Sequence, residues 1–248
     1  MNLLSKSLQQ SVRALQYTPQ ITEEVPMTLQ VAIVATDGIV VGSDRLIRNT
    51  EPYLNCKTLT YQGSKIFRDD SRRVMACWSG ENPSKEFAKA VISLPDEQLQ
   101  NLAALHELAD RIFAQESEKF GVGFGHSEVL LVMARALDRI YHVRVQGTSV
   151  CFPIYNKVIA GNTALPSVYF VERFFREGLT MEQLTPLIAH MISDAGRAKD
   201  SGVEGLEIVY CSEAGLRPLD RKQISELEEM SKGLETKIIN HLMPMVAA

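Results

Sequence analysis

From position 29 the chain stays apolar: Leu29, Val31, Ala32, Ile33, Val34 and Ala35 run nearly together, Asp37-Gly38 interrupts them, and Ile39, Val40 and Val41 resume. A short, almost wholly apolar run reads as a strand buried on both faces. Asp-Gly between two such runs reads as a two-residue hairpin turn. The pattern thus predicts strands over 29–35 and 39–43. A polar stretch over 48–57 follows, then short strands over 58–61, 65–68 and 74–79. Gly80-Glu81-Asn82-Pro83-Ser84 breaks the alternation and opens a helix whose stripe is Phe87, Val91 and Ile92. A second helix is predicted over 99–119, with Leu99, Leu102, Leu105, Ala109, Ile112 and Phe113 on one face.

A turn over 121–125 leads to strands over 128–134, 139–145, 150–154 and 157–160. Two further helices carry the stripes Val168, Val171, Phe174, Phe175 and Leu184, Leu187, Ile188, Met191, Ile192, Ala195. A last strand over 206–211 precedes a C-terminal helix with Ile224, Leu227, Met230, Leu234 and Ile238. Helices arrive in pairs and do not alternate singly with strands. That order favours stacked antiparallel sheets with helices outside over a doubly wound parallel sheet. There is no internal repeat and no low-complexity run.

Composition narrows the classes. At 248 residues, with 45% hydrophobic and 23% charged side chains, the chain is suited to one sizeable core. A formal net charge of -4 argues against nucleic acid or an anionic membrane as the main partner. The longest apolar runs fall far short of the roughly 20 residues that span a bilayer. The 4 cysteines (Cys56, Cys77, Cys151, Cys211) are scattered without a CxxC pair, which fits free thiols in a reducing cytoplasm. Neither they nor the 5 histidines have metal-ligand spacing, so no metal and no cofactor is expected.

The first 26 residues stand apart. Leu3, Leu4, Leu8, Val12 and Leu15 recur at helical spacing until Tyr17-Thr18-Pro19, and residues 19–26 are polar and linker-like. Ser5-Lys6-Ser7 and Gln9-Gln10-Ser11 interrupt the apolar run that a secretory signal requires. Three readings remain open for residues 1–27: an amphipathic or disordered extension, a removable propeptide, or a start assigned upstream of Met27.

The segment from Thr28 to Arg45 resembles the opening hairpin of proteasome β-type subunits and the related bacterial ATP-dependent peptidase subunits. These are N-terminal-nucleophile hydrolases of the threonine peptidase type. Asp44 falls sixteen residues after Thr28, the family's interval between nucleophile and first carboxylate. Gly63-Ser64-Lys65-Ile66-Phe67 is similar to the family's lysine strand, with Lys65 in the lysine's place. Val74-Met75-Ala76-Cys77-Trp78-Ser79-Gly80 is similar to the strand and glycine loop walling the cleft, with Trp78 near the floor of the specificity pocket. Ala160-Gly161-Asn162 resembles the family's small-residue loop before its third helix, and Lys199-Asp200-Ser201-Gly202 resembles the Asp-Ser segment after its fourth. The resemblance spans residues 28–218, most of the chain.

What the resemblance implies is an α+β fold: a four-layer αββα sandwich of two antiparallel sheets flanked by helix pairs, formed by residues 28–248 as a single domain. It implies a threonine-type endopeptidase subunit of a compartmentalised protease. Polypeptides would be its substrates and self-association into rings its assembly, with room for a separate ATPase unfoldase. Thr28 would be the nucleophile and its own α-amine the base, an economy that needs no histidine. Lys65 would lower the hydroxyl's pKa, Asp44 would hold Lys65, Asp200 with Ser201 would orient the nucleophile, and the Gly80 N–H would receive the oxyanion.

The chain departs from the family in places. The loop between Asp44 and Lys65 is longer, Leu46 and Asn162-Thr163 replace the usual residues, and Met27 stands where self-processing members have glycine. Met-Thr is, however, a start that methionine aminopeptidase trims, which would free the Thr28 amine without a propeptide. Two other readings are a non-catalytic structural subunit of the same fold and a stand-alone amidohydrolase. His142 and His190 read as structural residues, Cys56 has no assignable histidine partner, and Glu226-Leu227-Glu228-Glu229 reads as a solvated helix face.

Overall fold

The computed structural model describes residues 28–50, 58–120, 127–146, 148–198 and 201–242. It is a mixed α+β fold with antiparallel sheets. Strands β1 (Leu29–Ala35) and β2 (Gly38–Ser43) form the opening hairpin, in the register Gln30↔Ser43 through Ala35↔Gly38. With β10 (Lys157–Gly161), β11 (Glu207–Ser212) and β12 (Gly215–Pro218) they make a five-stranded sheet ordered β10-β1-β2-β11-β12. A second five-stranded sheet runs β5 (Ile66–Asp69), β6 (Val74–Gly80), β7 (Ser127–Met133), β8 (Ile140–Gln146), β9 (Thr148–Ile154).

Period-two alternation divides the buried residues into three clusters. Along β1, Leu29, Val31 and Ile33 point toward helices α4 (Val168–Phe174) and α5 (Met181–Arg197), where Val171, Leu184, Ile188 and Ile192 receive them. Along β7, Val129, Leu131 and Met133 pack on α1 (Asn82–Val91) and α3 (Leu102–Phe120) through Phe87, Val91, Leu105 and Ile112. The opposite faces meet between the sheets, where Ala32, Val41, Met75, Leu130, Val132 and Val209 are buried together. Each strand therefore has two apolar faces, the physical reason for the near-continuous runs in the sequence. The last helix, α6 (Arg221–Leu242), lies against α5.

Several expectations shift. The two-residue turn is Thr36-Asp37, and Gly38 opens β2. Asp37 is drawn away to accept the Met181 N–H at 2.7 Å at the start of α5, while a Cβ on Gly38 would stand 2.2 Å from the Cys211 carbonyl. The helix expected over 99–119 begins as a separate turn, α2 (Asp96–Leu99), because Asn101 caps a new helix by accepting the Ala103 N–H at 3.0 Å. Part of the polar stretch forms a strand, β3 (Leu46–Thr50), paired with β4 (Thr58–Gln62), and β12 was not expected at all. On α6 the stripe is only half covered: Met230, Leu234 and Ile238 are exposed. The leader, its linker, the Met27–Thr28 bond, the turn over 121–125, Cys56 and Asp200 lie outside the described residues. Among the described residues no helix is long and apolar enough to cross a membrane, and no group of three or more His, Cys, Asp or Glu is placed to hold a metal ion.

Candidate functional site

The hairpin register itself places the first two residues of the site. Gln30 pairs with Ser43, so continuing one step outward sets Leu29 beside Asp44, just past the end of β2. The two residues clasp each other there. The Asp44 N–H donates to the Leu29 carbonyl at 3.0 Å, and the Leu29 N–H donates to Asp44 Oδ1 at 2.9 Å. The Leu46 N–H donates to Oδ2 at 3.1 Å. The register thus sets Asp44 opposite Leu29, one residue on from Thr28.

Lys65 arrives from the other sheet, immediately before β5, its backbone pinned by the Trp78 N–H at 3.1 Å from its carbonyl. Its side chain is 1% exposed, the largest fully buried side chain in the described structure. Nζ donates to Thr28 Oγ1 at 2.8 Å and to Asp44 Oδ1 and Oδ2 at 3.0 and 2.8 Å. All three ammonium hydrogens have acceptors. Burial pushes the Lys65 pKa down, opposed by the Asp44 charge, and pushes the Asp44 pKa up, opposed first by Lys65 and then by the backbone N–H donors. Burial thus disfavours the charge on each group, and the ion pair between them opposes it. Thr28 itself is buried at 6% exposure.

The backbone of Thr28 is held just as closely. Its carbonyl accepts the Asn162 N–H at 2.7 Å. Gly161, opposite Leu29 on β10, has φ 88°, and a Cβ there would lie 2.0 Å from the Thr28 carbonyl oxygen. Only glycine permits that approach.

The other sequence candidates separate from this triad. Gly80 ends β6 with φ 88°, opposite Ser127, and is joined to neither Thr28 nor Lys65 by a described hydrogen bond. Ser201 is buried, but its hydroxyl accepts the Val203 N–H at 3.2 Å and makes no described hydrogen bond to Thr28. Trp78 is buried in the cluster between sheet and helices, with Lys85 Nζ 6.0 Å from its ring centre. His142 faces Glu128 at 3.2 Å and His190 faces Ser231 at 2.9 Å, both structural contacts. Cys77 is not a competing nucleophile, since burial pushes its thiol pKa far up.

Sequence reasoning missed Glu128, which accepts the Gly161 N–H at 2.7 Å, and Glu207, which accepts the Ser64 hydroxyl at 3.0 Å one residue from Lys65. Both are carboxylates on the face of an otherwise apolar strand that alternation turns toward the opposite sheet, and that parity was the available signal.

No protein-family model and no curated protein matches this sequence. Among solved structures the chain is similar to Anbu (ancestral beta-subunit) from Yersinia bercovieri, with a TM-score of 0.62 at 13% sequence identity, over 89% of this chain and 98% of that one. At that identity the likeness carries the fold alone.

Proposed function

We propose that this chain is a threonine-type peptide hydrolase subunit with Thr28 as its nucleophile, acting once Thr28 is N-terminal. The observation that carries the reading is the buried ammonium of Lys65, shared between Thr28 Oγ1 at 2.8 Å and both oxygens of Asp44. A lysine and an aspartate are costly to bury, and packing alone would favour apolar residues in their place. Their contact with a hydroxyl at the head of a strand has a chemical rationale: it stabilises the developing alkoxide.

In this mechanism the free α-amine of Thr28 takes the hydroxyl proton, and Oγ1 attacks the scissile carbonyl carbon. Lys65 faces the oxygen that gains charge, and Asp44 keeps the ammonium in place. The Gly80 N–H receives the oxyanion, a contribution of about 2.7–4 kcal/mol where such donors have been removed from hydrolases. Collapse breaks the C–N bond, and the leaving amine takes the proton held on the Thr28 ammonium. The resulting ester on Thr28 is cleaved by water with the amine again as base. Asp200 and Ser201 are assigned the orienting of the nucleophile, as the family resemblance implies. Residues 28–248 form one domain whose layers stack helix, sheet, sheet, helix. The chain works in the cytoplasm, assembles with further copies of itself into a ring and receives polypeptides from an ATPase unfoldase.

Intact mass of the purified protein, peptide hydrolysis and labelling by a peptide epoxyketone, which joins both amine and hydroxyl of an N-terminal threonine, test the reading together. The expected result is a chain beginning at Thr28, hydrolysis abolished by Thr28→Ala, and a single adduct on Thr28; light scattering then reports the assembly. A mature chain that keeps Met27, neither hydrolyses peptides nor takes the label, would make it a structural subunit of the same fold.

A further inference from the structure

We propose that Glu128 is a positioning residue for the nucleophile: from the second sheet it holds the backbone that fixes the Thr28 carbonyl. The proposal rests on the catalytic reading of Thr28. On β7 the side chains of Leu130 and Val132 lie between the sheets, and alternation sets Glu128 on the same face. It is 5% exposed. Its Oε2 accepts the Gly161 N–H from the first sheet at 2.7 Å. Its Oε1 lies 3.2 Å from His142 Nε2 and 3.4 Å from Arg144 Nε, both on β8. The carboxylate is therefore tied to its own sheet by two side chains and reaches across with its other oxygen.

What it reaches is the contact that sets Thr28. Gly161 passes so close to the Thr28 carbonyl that no Cβ fits, and the next N–H, of Asn162, donates to that carbonyl at 2.7 Å. On the far side of the same peptide plane, the Leu29 N–H is held by Asp44 Oδ1 at 2.9 Å. The peptide following the nucleophile is thus gripped at both its oxygen and its N–H, once through Glu128 and once through the aspartate that holds Lys65. A shift of Gly161 turns this plane, and with it Thr28 Oγ1 relative to Lys65. A buried carboxylate is a poor choice for cohesion between sheets; as an acceptor that both fixes an N–H and is itself fixed, it sets an angle.

Two variants separate this role from a structural one. Glu128→Met keeps the volume and loses the acceptor, while Glu128→Gln keeps one oxygen for the Gly161 N–H. With the mature protein in its native assembly and a fluorogenic peptide, Glu128→Met is expected to lower kcat by about 10²-fold, the scale of an ångström misplacement, with KM little changed. Glu128→Gln is expected to restore most of kcat. In parallel, hydrogen exchange of the segment carrying the Gly161 and Asn162 amides is expected to quicken in Glu128→Met and stay near wild type in Glu128→Gln. If Glu128→Met keeps wild-type kcat, or if kcat, KM and melting temperature move together in both variants, the proposal is wrong. A wild-type protein that hydrolyses nothing would instead overturn the catalytic reading; exchange at Gly161 and Asn162 then still decides the clasp, and unchanged exchange in Glu128→Met overturns it.

Discussion

Replacing Lys65 by methionine isolates the energetics of the buried pair. The substitution keeps an unbranched side chain of similar length and removes the ammonium. Asp44, 0% exposed, would retain only the Leu29 and Leu46 N–H donors of the three groups now facing its oxygens. Removing one partner of a buried ion pair costs about 3–5 kcal/mol, because the other charge is left uncompensated. For a chain of this size that lowers the melting temperature by about 6–20 °C. Asp44 has an escape, since burial already pushes its pKa up and losing Lys65 removes the largest opposing influence. A carboxyl raised above its unfolded value contributes its full stability below that unfolded value and loses it as pH climbs through the folded one. Lys65→Met should therefore be most destabilised near about pH 8 and less so near about pH 5, where Asp44 can be carried in neutral form. Urea unfolding followed by circular dichroism at both pH values measures this. The double variant Lys65→Met/Asp44→Asn should be less destabilised than the sum of the singles by about 0.5–3 kcal/mol. A single variant within about 1 kcal/mol of wild type at the higher pH, well under the expected loss, would refute the reasoning; so would an additive double.

Three further outcomes are expected. Gly161→Ala forces a side chain into the left-handed region and against the Thr28 carbonyl, so it should cost at least about 1–3 kcal/mol and reduce turnover; wild-type melting would show that β10 can yield there. Burial pushes the Cys151 and Cys211 thiols up to about 12, so native protein at about pH 8 should resist alkylation at both, and at Cys77, until denatured; rapid labelling of any of the three, read by peptide mass, would contradict the packing. Burial also raises the Glu207 pKa, opposed first by the Ser64 hydroxyl, so wild type should lose stability relative to Glu207→Gln as pH rises through the folded Glu207 pKa; a difference between the two that does not change from about pH 4 to about pH 7 would rule this out.

The parts of this molecule legible in its sequence are those fixed by local periodicity. Strand β1 and strand β7 are apolar on both faces, and the helices on either side announce themselves through stripes such as Leu184, Ile188 and Ile192. Asp44 and Lys65 stood out only through the family resemblance, Asp44 by its interval after Thr28 and Lys65 by the segment Gly63-Ser64-Lys65-Ile66-Phe67; alone, each reads as an ordinary strand-end or strand residue. Strand β3 was hidden because of its residues only Leu46 and Ile47 are apolar, and it pairs in a small sheet of two strands. The break before α3 was hidden because Asn101 caps a helix from inside a run that otherwise keeps its stripe. Glu128 was hidden for a different reason. Its partner Gly161 is 33 residues away in sequence and belongs to the other sheet, so no local pattern connects them.

The layer between the sheets explains why the site lies where it does. Along each strand one face packs there, and toward one end that face is apolar: Ala32, Ile39, Met75, Val132, Ile140, Cys211. Toward the other end the same alternation brings Gln30, Ser43, Ser79, Glu128 and Glu207, on five different strands, around the start of β1. Gln30 is 0% exposed, yet neither end of its amide has a described hydrogen-bond partner, and the Ser79 hydroxyl is in the same condition. Each unpaired buried group costs about 1–3 kcal/mol relative to a satisfied one. A fold selected for cohesion alone would carry valine or leucine at those positions, as it does one or two steps further along the same strands. Departures from local consistency concentrate where a protein does its chemistry. Here they lie around the start of β1, whose preceding residue meets Lys65 through its hydroxyl, and that concentration supports the proposed catalytic role of Thr28.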